Sequence, residues 1–379
     1  MLWTLSAVLA LVLAGLLAVG WVFSSQILTP QPYGLFPEFE LVDVAPQGGD
    51  VYRVTLPEPG DAQFAQTANK GRYALLWEGG HGDLGPVVAR DGGVVRDVTV
   101  TAGRPPQAGD AARLDAFVFR PDPSARGLAF EDVTIDTPVG PAPAWWLPGE
   151  RADTAVVMVH GRRRASRIET LRALPAVHAT GASVLIPTYR NHDGAPMSPD
   201  GFFHYGESET ADVAAALAWL DSRGVTRVIL MGYSMGAGIA LGLETDWPDV
   251  APELVGLVLD APMVDPVPAF EVGARNMGLP APGFLARLAV NVARFRSGVD
   301  FAALDRRNTA AGIDVPVLMF AGTADSTTTI ESIDAFHARL TTDVTYERLE
   351  GVEHVEAWNV NPERYEATLA GFLRPLMAR

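Results

Sequence analysis

The chain has 379 residues, of which 48% are hydrophobic and 20% are charged, and its formal net charge is −16. This length and composition indicate a folded protein with one large domain or two. The negative charge argues against nucleic-acid binding, which needs a concentrated basic surface. Because the chain contains no cysteine, disulfides, a thiol nucleophile and cysteine-ligated metals are excluded.

The chain begins with a long apolar segment. Residues 2–23 are an almost unbroken apolar run, and the first charged side chain is Glu38. About 20 helical residues cross the hydrocarbon core of a bilayer, so we predict a single transmembrane anchor within residues 1–28. The alternative is a secreted protein with a cleaved signal peptide, although the segment is long and no basic residue precedes it. The charge pattern of the flanks favours an extracytoplasmic location for the part of the chain that follows.

Residues 29–127 are predicted to form a small β-rich domain. Proline and glycine are frequent, and short alternating runs at 52–56, 73–77 and 94–100 are typical of strands joined by turns. His81 lies in a glycine-rich stretch that we interpret as a turn. A histidine in such a turn is expected to be solvated.

From residue 128 onward, strand and helix patterns alternate. The predicted strands are 130–136, 144–147, 155–160, 183–187, 228–231, 255–259, 317–320 and 344–349, and the predicted helices are 168–180, 210–223 and 330–340. The first two strands are expected to pair in antiparallel fashion. Apolar strands that alternate with helices predict a mostly parallel sheet with helices on both faces, and therefore an α/β domain at 128–379.

The motif Gly232-Tyr233-Ser234-Met235-Gly236 lies between a predicted strand and a predicted helix. Strand, G-x-S-x-G and helix together describe a nucleophile elbow, a tight turn that holds its serine exposed and strained. Glycines on both sides let the strand and the helix pass closely. Ser234 is therefore the predicted nucleophile.

A serine nucleophile needs a base that accepts its proton. Only two histidines follow Ser234 in the chain. His337 lies within a predicted helix, which is a poor position for reaching the elbow, whereas His354 lies in a turn after the last strand. His354 is therefore the predicted base.

The base needs a carboxylate that orients it. Asp325 follows the strand at 317–320 through a glycine turn, so it lies at the sheet edge where such folds bind ligands. Asp260, at the end of the strand at 255–259, is the alternative acid, and we expect it to support a turn instead. Glu353 is adjacent to the base in sequence and is expected to point elsewhere.

Acyl transfer also needs amide donors for the developing oxyanion. The Met235 amide, at the N-terminus of the helix after the nucleophile, is one candidate. The Arg162 amide, in the loop after His160-Gly161, is the second. His160 is expected to buttress this loop.

Several arginines cluster after this loop, at Arg162, Arg163, Arg164 and Arg167. Cations at a helix N-terminus oppose the helix dipole. We expect acidic neighbours such as Glu207 and Glu209 to offset them, with an anionic substrate or lipid headgroup as the alternative. Nearby, His192, Asp193 and His204 lack the tight spacing of a metal site.

Residues 262–308 separate two sheet strands by more than a usual crossover and are predicted to form a cap insertion. Residues 284–295 are amphipathic at helical spacing. The insertion offers apolar side chains that could line an acyl pocket, namely Met263, Phe270, Met277 and Phe284. The alternative is that this face packs on the core.

Taken together, these motifs make residues 128–379 resemble the serine α/β-hydrolase superfamily. Within it, HGRRRASRIETLRALPAVHATG, YRNHDGAPMSPDGFFHYGESETADVAAALAWL and GVEHVEAWNVNPERY are similar to bacterial membrane-anchored hydrolases near the prolyl-oligopeptidase and dienelactone-hydrolase branch. The resemblance implies an α/β-hydrolase fold without a cofactor, with Ser234 as nucleophile, Asp325 as acid, His354 as base and the amides of Arg162 and Met235 as oxyanion donors.

The expected function is hydrolysis of small-molecule or lipid-like carboxylic esters through an acyl-enzyme on Ser234. Peptidase or thioesterase action on the same fold remains an alternative, as does a non-catalytic membrane-anchored binding protein. Peptidases of the prolyl-oligopeptidase type usually carry a large propeller, which about 100 β-rich residues cannot build. Ester hydrolysis is therefore favoured.

Overall fold

The structure is a computed structural model that describes residues 2–34, 36–59, 67–69, 71–162, 165–246 and 251–378, with the backbone alone at 2–10, 12 and 13. The helices within these residues are α1 Leu2–Leu28, α2 Leu174–His178, α3 Glu209–Asp221, α4 Met235–Asp246, α5 Pro266–Asn276, α6 Pro282–Ser297, α7 Ile330–His337, α8 Ala357–Val360 and α9 Pro362–Met377. The strands are β1 Phe39–Glu40, β2 Asp43–Gly48, β3 Val51–Leu56, β4 Tyr73–Trp77, β5 Gly80–Arg90, β6 Val94–Gly103, β7 Ala111–Asp115, β8 Glu131–Thr137, β9 Gly140–Leu147, β10 Arg151–Val159, β11 Ala182–Pro187, β12 Arg227–Tyr233, β13 Glu253–Asp260, β14 Val317–Gly322 and β15 Val344–Leu349.

The larger sheet has the strand order β15-β14-β13-β12-β10-β11-β9-β8 in the described part of the chain. Neighbours from β10 to β15 are parallel, whereas β9 runs antiparallel to both β8 and β11. Alternate residues of β10 enter two different cores, with Val157 in one and Val156 in the other. Helices therefore cover both faces, and the predicted α/β-hydrolase fold is confirmed.

The helix predicted at 168–180 is split in two. Arg167–Arg172 forms a 3₁₀ helix, and α2 begins separately two residues later. Pro175 lies in the first turn of α2, where a missing amide N–H costs no hydrogen bond. A proline can begin a helix but cannot continue one from the preceding turn, so the helical pattern is interrupted here.

The N-terminal sheet is antiparallel throughout its described strands, in the order β1-β7-β4-β5-β6-β3-β2. It has its own apolar core, which includes Leu75, Trp77 and Val98. His81 belongs to β5, so our interpretation of its surroundings as a turn is wrong. The turn is shorter than expected because Gly80 already pairs with β4 and β6.

The two sheets meet behind the loop that follows the predicted base. Tyr73 of β4 donates its hydroxyl proton to Glu356 at 2.6 Å, within the interface. Asn359, which is fully buried, donates to the carbonyls of Arg72 and Ala116 at 2.6 and 2.7 Å. The β-rich domain thus braces the segment that carries His354.

The C-terminal end of helix α1 packs along α6. A Cβ at Gly20 would lie 2.9 Å from Val292 Cγ2, so the two helices approach closely. Arg296 donates to Ser24 Oγ at 2.6 Å and to Ser25 Oγ at 2.9 Å. These contacts hold the last turns of α1 against the catalytic domain.

The transmembrane anchor predicted within residues 1–28 is not supported. Among the described residues, no helix combines the length and the apolar character that crossing a bilayer requires.

Candidate active site

Ser234 lies at a tight turn between β12 and α4. Its φ is 51°, in the left-handed region that a serine rarely adopts. A Cβ at Gly232 would collide with the Ala237 amide nitrogen, and one at Gly236 would collide with the Val159 carbonyl oxygen. Glycine is therefore required on both sides, as the G-x-S-x-G motif predicts for an elbow.

The structure brings Ser234, His354 and Asp325 into one hydrogen-bonded chain. Ser234 Oγ lies 2.9 Å from His354 Nε2, and His354 Nδ1 lies 2.7 Å from Asp325 Oδ2. An ionised carboxylate can only accept, so Nδ1 carries the proton that bonds Asp325. Nε2 of the neutral ring is then the acceptor for the serine hydroxyl, which is the arrangement a general base needs.

Asp325 is fixed by the turn that follows β14. Its Oδ1 accepts from the amides of Thr327 and Thr328 at 2.7 Å each, and its Oδ2 accepts from Thr328 Oγ1 at 2.7 Å. Burial alone would raise the pKa of Asp325. The nearby His354 and these hydrogen bonds outweigh burial and hold the pKa below its usual range.

The interaction between Asp325 and His354 lowers the pKa of the acid and raises the pKa of the base. Burial disfavours the imidazolium and would lower the pKa, but the Asp325 carboxylate stabilises the charged ring and raises it above its ordinary value. Glu353 accepts from the His354 amide at 2.9 Å and from the Ser326 amide at 2.6 Å. It therefore ties the loop of the base to the loop of the acid.

Asp260, the alternative acid, has other partners. Its carboxylate accepts from the Tyr365 hydroxyl at 2.9 Å, and its backbone carbonyl accepts from the Ser234 amide at 2.9 Å. Burial raises the pKa of this carboxyl, although Arg172 and Tyr365 oppose the change. Asp260 supports the elbow through its backbone, and its side chain bonds the tyrosine.

Glu169 is a site residue that the sequence analysis missed. Its Oε2 accepts from the Gly161 amide at 2.5 Å, and it lines the same cavity as Ser234 and His354. Burial raises the pKa of this carboxyl to about 7, although Arg172 and the Gly161 hydrogen bond lower it. The spacing of Glu169 and Arg172 could have indicated an ion pair, but not its burial.

The Gly161 hydrogen bond bears on the oxyanion donors. The Gly161 amide donates to Glu169, which leaves the next amide along the loop, that of Arg162, as the candidate oxyanion donor. Arg162 lines the cavity that contains Ser234. Met235, the second predicted donor, is the first residue of α4. Both donors remain predictions.

Arg162 and Arg167, the described residues of the arginine cluster, do not pair with the predicted acidic neighbours Glu207 and Glu209. Arg162 donates to the Ile27 carbonyl at 2.9 Å and lies over the Tyr205 ring, while Arg167 lies over the Trp145 ring. Glu209 instead accepts from two backbone amides. Arg163 and Arg164 lie outside the described residues.

Two cavities adjoin at this site. A catalytic cavity of ≈ 450 Å³ contains Ser234 and His354, and an apolar cavity of ≈ 200 Å³ shares Arg162, Met263 and Thr327 with it. Two of the other predicted acyl-pocket residues, Phe270 and Met277, also line the apolar cavity.

The prediction for Phe284 is wrong. This side chain is 54% exposed and does not line the apolar cavity, to which α6 contributes Leu285, Ala286 and Ala289. Among the described residues, no group of histidine, aspartate and glutamate side chains has the arrangement of a metal site. His192 is buried against His160 and Tyr189, and His204 bonds Asp200 and Ser208.

Comparison with known families gives two matches along the chain. The model of the alpha/beta hydrolase family matches residues 156–371, which is more than half of the chain. A second model, described as a domain of unknown function (DUF8805), matches residues 43–115 in the N-terminal sheet.

Two curated proteins are similar in sequence. The sn-1-specific diacylglycerol lipase ABHD11 of Mus musculus is 33% identical over 128 residues, which cover 34% of this chain and 39% of that protein. An uncharacterized protein of Mycobacterium tuberculosis, Rv2307c, is 31% identical over 216 residues, which cover 54% of this chain and 66% of that protein. The chain thus spans less than two thirds of either relative.

Among solved structures, the esterase Pf2001 of Pyrococcus furiosus is similar in fold. It has a TM-score of 0.53 at 23% identity, and the match covers 68% of this chain and 96% of that chain. Together with the strand order and the elbow, the family match settles the classification. The chain belongs to the alpha/beta hydrolase family, as its sequence resemblance predicted.

Proposed function

We propose that the protein is a serine hydrolase that cleaves carboxylic esters through an acyl-enzyme on Ser234. The observation that carries the proposal is the hydrogen-bonded chain from Ser234 through His354 to Asp325, with the serine on a strained elbow. This is the arrangement in which a base activates a hydroxyl nucleophile and a carboxylate orients the base.

In the first half of the reaction, His354 Nε2 takes the proton of Ser234 as Oγ attacks the ester carbonyl carbon. Asp325 stabilises the imidazolium that forms, and the amides of Met235 and Arg162 stabilise the oxyanion. The tetrahedral intermediate then loses its alkoxide, which leaves as an alcohol with the proton from His354. The acyl group remains bound to Ser234.

In the second half, water attacks the acyl-enzyme with His354 again as base. The carboxylic acid is released and the proton returns to Ser234. No other proton carrier is needed, because one imidazole accepts and donates in turn.

Ester substrates are supported by the apolar cavity beside the nucleophile and by the relatives. The mouse relative is named a diacylglycerol lipase, and the Pyrococcus neighbour is named an esterase. The location of the catalytic domain outside the cytoplasm stays a prediction from the sequence.

The test is labelling with a fluorophosphonate probe together with turnover of p-nitrophenyl esters. We expect wild type to be labelled and Ser234→Ala to be unlabelled, with kcat lower by about 10⁶ because triad members act as a unit. Ser222→Ala, at an exposed serine after α3, is the matched control and should behave as wild type.

His354→Ala should also lose labelling. If folded wild type is not labelled, or if Ser234→Ala loses less than tenfold in turnover, the protein is not a serine hydrolase. The non-catalytic binding protein would then be the better interpretation.

A further inference from the structure

The apolar cavity beside Ser234 has a wall that does not come from the catalytic domain. Phe23, Gln26 and Ile27, in the last turns of α1, line it opposite residues of α5 and α6. The space exists because the facing helices present small side chains, among them Gly273 and Ala289.

The chemistry of the lining selects an uncharged apolar group. Among the described lining residues there is no aspartate or glutamate, so a cationic substrate group would find no partner. The charge of Arg162 is directed to the Ile27 carbonyl, which accepts from it at 2.9 Å. Arg162 also lines the catalytic cavity, so this cation lies where the two cavities adjoin, and the other described residues that line the apolar cavity carry no charge.

The wall formed by α1 is held in a fixed register. The Ile27 carbonyl also accepts from the Tyr205 hydroxyl at 2.7 Å, and the Leu28 carbonyl accepts from the Phe203 amide at 2.9 Å. Ile27 and Leu28 are buried in the core of the catalytic domain. Side chains on α1 therefore have a defined distance from the opposite wall.

We infer that the C-terminal turns of α1 determine the length of the acyl chain that the enzyme accepts, with Phe23 as the residue that limits it. The inference rests on the proposed ester hydrolysis. A cavity of about 150 Å³ holds the six carbons of a benzene ring, so ≈ 200 Å³ holds a chain of roughly eight carbons. The substrate class is esters of medium-chain, uncharged carboxylic acids.

The test is the ratio of kcat/KM values across p-nitrophenyl acetate, butyrate, octanoate and dodecanoate. Phe23→Trp narrows the cavity and should lower the octanoate-to-acetate ratio about tenfold or more, the effect of one or two misplaced methylenes. Phe23→Ala lengthens the cavity and should raise the dodecanoate-to-octanoate ratio about tenfold.

The matched control is Val22→Ala, one position away on the same helix, where the side chain is 58% exposed. Its chain-length profile should equal that of wild type. Gly273→Val fills the cavity from α5, because open space surrounds the position of its Cβ. This variant should also lower the octanoate-to-acetate ratio.

The outcomes separate the inference from the proposed function. If wild type hydrolyses the esters and Gly273→Val changes the profile but both Phe23 variants do not, α1 does not determine chain length. If none of the three variants changes the profile, the acyl chain lies elsewhere. If wild type hydrolyses no ester of the series, the proposed function fails and the inference fails with it.

Discussion

The ends of β13 and β14 are two neighbouring places that look alike in sequence and differ in chemistry. Each strand is apolar, each is buried between parallel neighbours, and each leads to an aspartate near the elbow. Asp260 bonds Tyr365, whereas Asp325 bonds His354. A position at the carboxyl edge of the sheet is therefore not sufficient to make an acid of the triad.

The difference arises from the loop that packs on each strand end. A Cβ at Gly322, the last residue of β14, would collide with the Val352 carbonyl oxygen. This close approach lets the loop that carries His354 lie directly over the turn that carries Asp325. The end of β13 instead faces α9, which presents Tyr365 to Asp260.

The comparison predicts unequal effects of the same substitution at the two aspartates. Asp325→Asn should lower kcat about 10⁴-fold, because an amide permits the wrong tautomer of His354. Asp260→Asn should change kcat less than about tenfold, because its carboxylate does not contact the base. Ester turnover at saturating substrate measures kcat for both variants.

Thermal and urea unfolding provide the control. Asp260→Asn should lower the free energy of unfolding by about 1–3 kcal/mol, since a neutral amide interacts more weakly than the buried carboxylate with the Tyr365 hydroxyl and with Arg172. If a well-folded Asp260→Asn protein lost activity as completely as Asp325→Asn, the assignment of the acid would be wrong.

The pH profile gives a second and smaller contrast. The base must be neutral, and Asp325 raises the pKa of His354, so wild-type kcat/KM should rise with pH through a midpoint above 6.5, the ordinary value for histidine. Asp325→Asn removes the largest influence that raises this pKa, whereas burial, which lowers it, remains, so the midpoint should shift to lower pH. Rates of fluorophosphonate labelling between pH 5 and 9 measure this midpoint in wild type and in Asp325→Asn. An unchanged midpoint in the variant would show that Asp325 does not raise this pKa.

The smallest effect on catalysis is expected from a substitution at Glu169. Burial raises the pKa of its carboxyl to about 7, and the ionised carboxylate raises the pKa of His354, so Glu169 stabilises the imidazolium only when it is ionised. Glu169→Gln keeps an acceptor for the Gly161 amide but removes this charge. We expect kcat/KM within about twofold of wild type at pH 6 and about threefold to tenfold lower at pH 9.

The dependence on pH distinguishes this role from a structural one. A variant that only loosened the loop would lose a constant fraction of activity at every pH. Glu169→Asp, which keeps the charge on a shorter chain, should recover part of the activity at pH 9. A flat ratio of wild type to Glu169→Gln would exclude the electrostatic role.

Ser234, Asp325 and His354 lie together, as the sequence led us to expect, and the prediction of each position depended on a short stretch of chain. The elbow needs only a strand, two glycines and a helix within ten residues, because the clash that requires each glycine is with backbone close in sequence or in the adjacent strand. Asp325 and His354 were located by the same logic, since each follows a strand of a parallel sheet. Carboxyl ends of such strands meet at one edge.

The parts that were missed or wrong depend on contacts between distant segments. Arg162 and Ile27 are 135 positions apart, and no periodicity near either residue indicates their hydrogen bond. The apolar character of α1 predicted a bilayer helix, which the described residues do not support, and the structure shows its last turns packed on α6. An apolar helix surface is stabilised by burial against another apolar surface, but its hydrophobicity does not identify which surface that is.

The sequence by itself determined the α/β class, the elbow at Ser234 and the chain order of the residues that we propose as nucleophile, acid and base. It could do so because strand, turn and helix patterns are local and the geometry of a parallel sheet carries their ends to one edge. The tertiary structure alone decided that Asp325 reaches His354 while Asp260 reaches Tyr365, that Glu169 accepts from the Gly161 amide, and that α1 lines the apolar cavity. Those choices follow from packing between segments far apart in the chain.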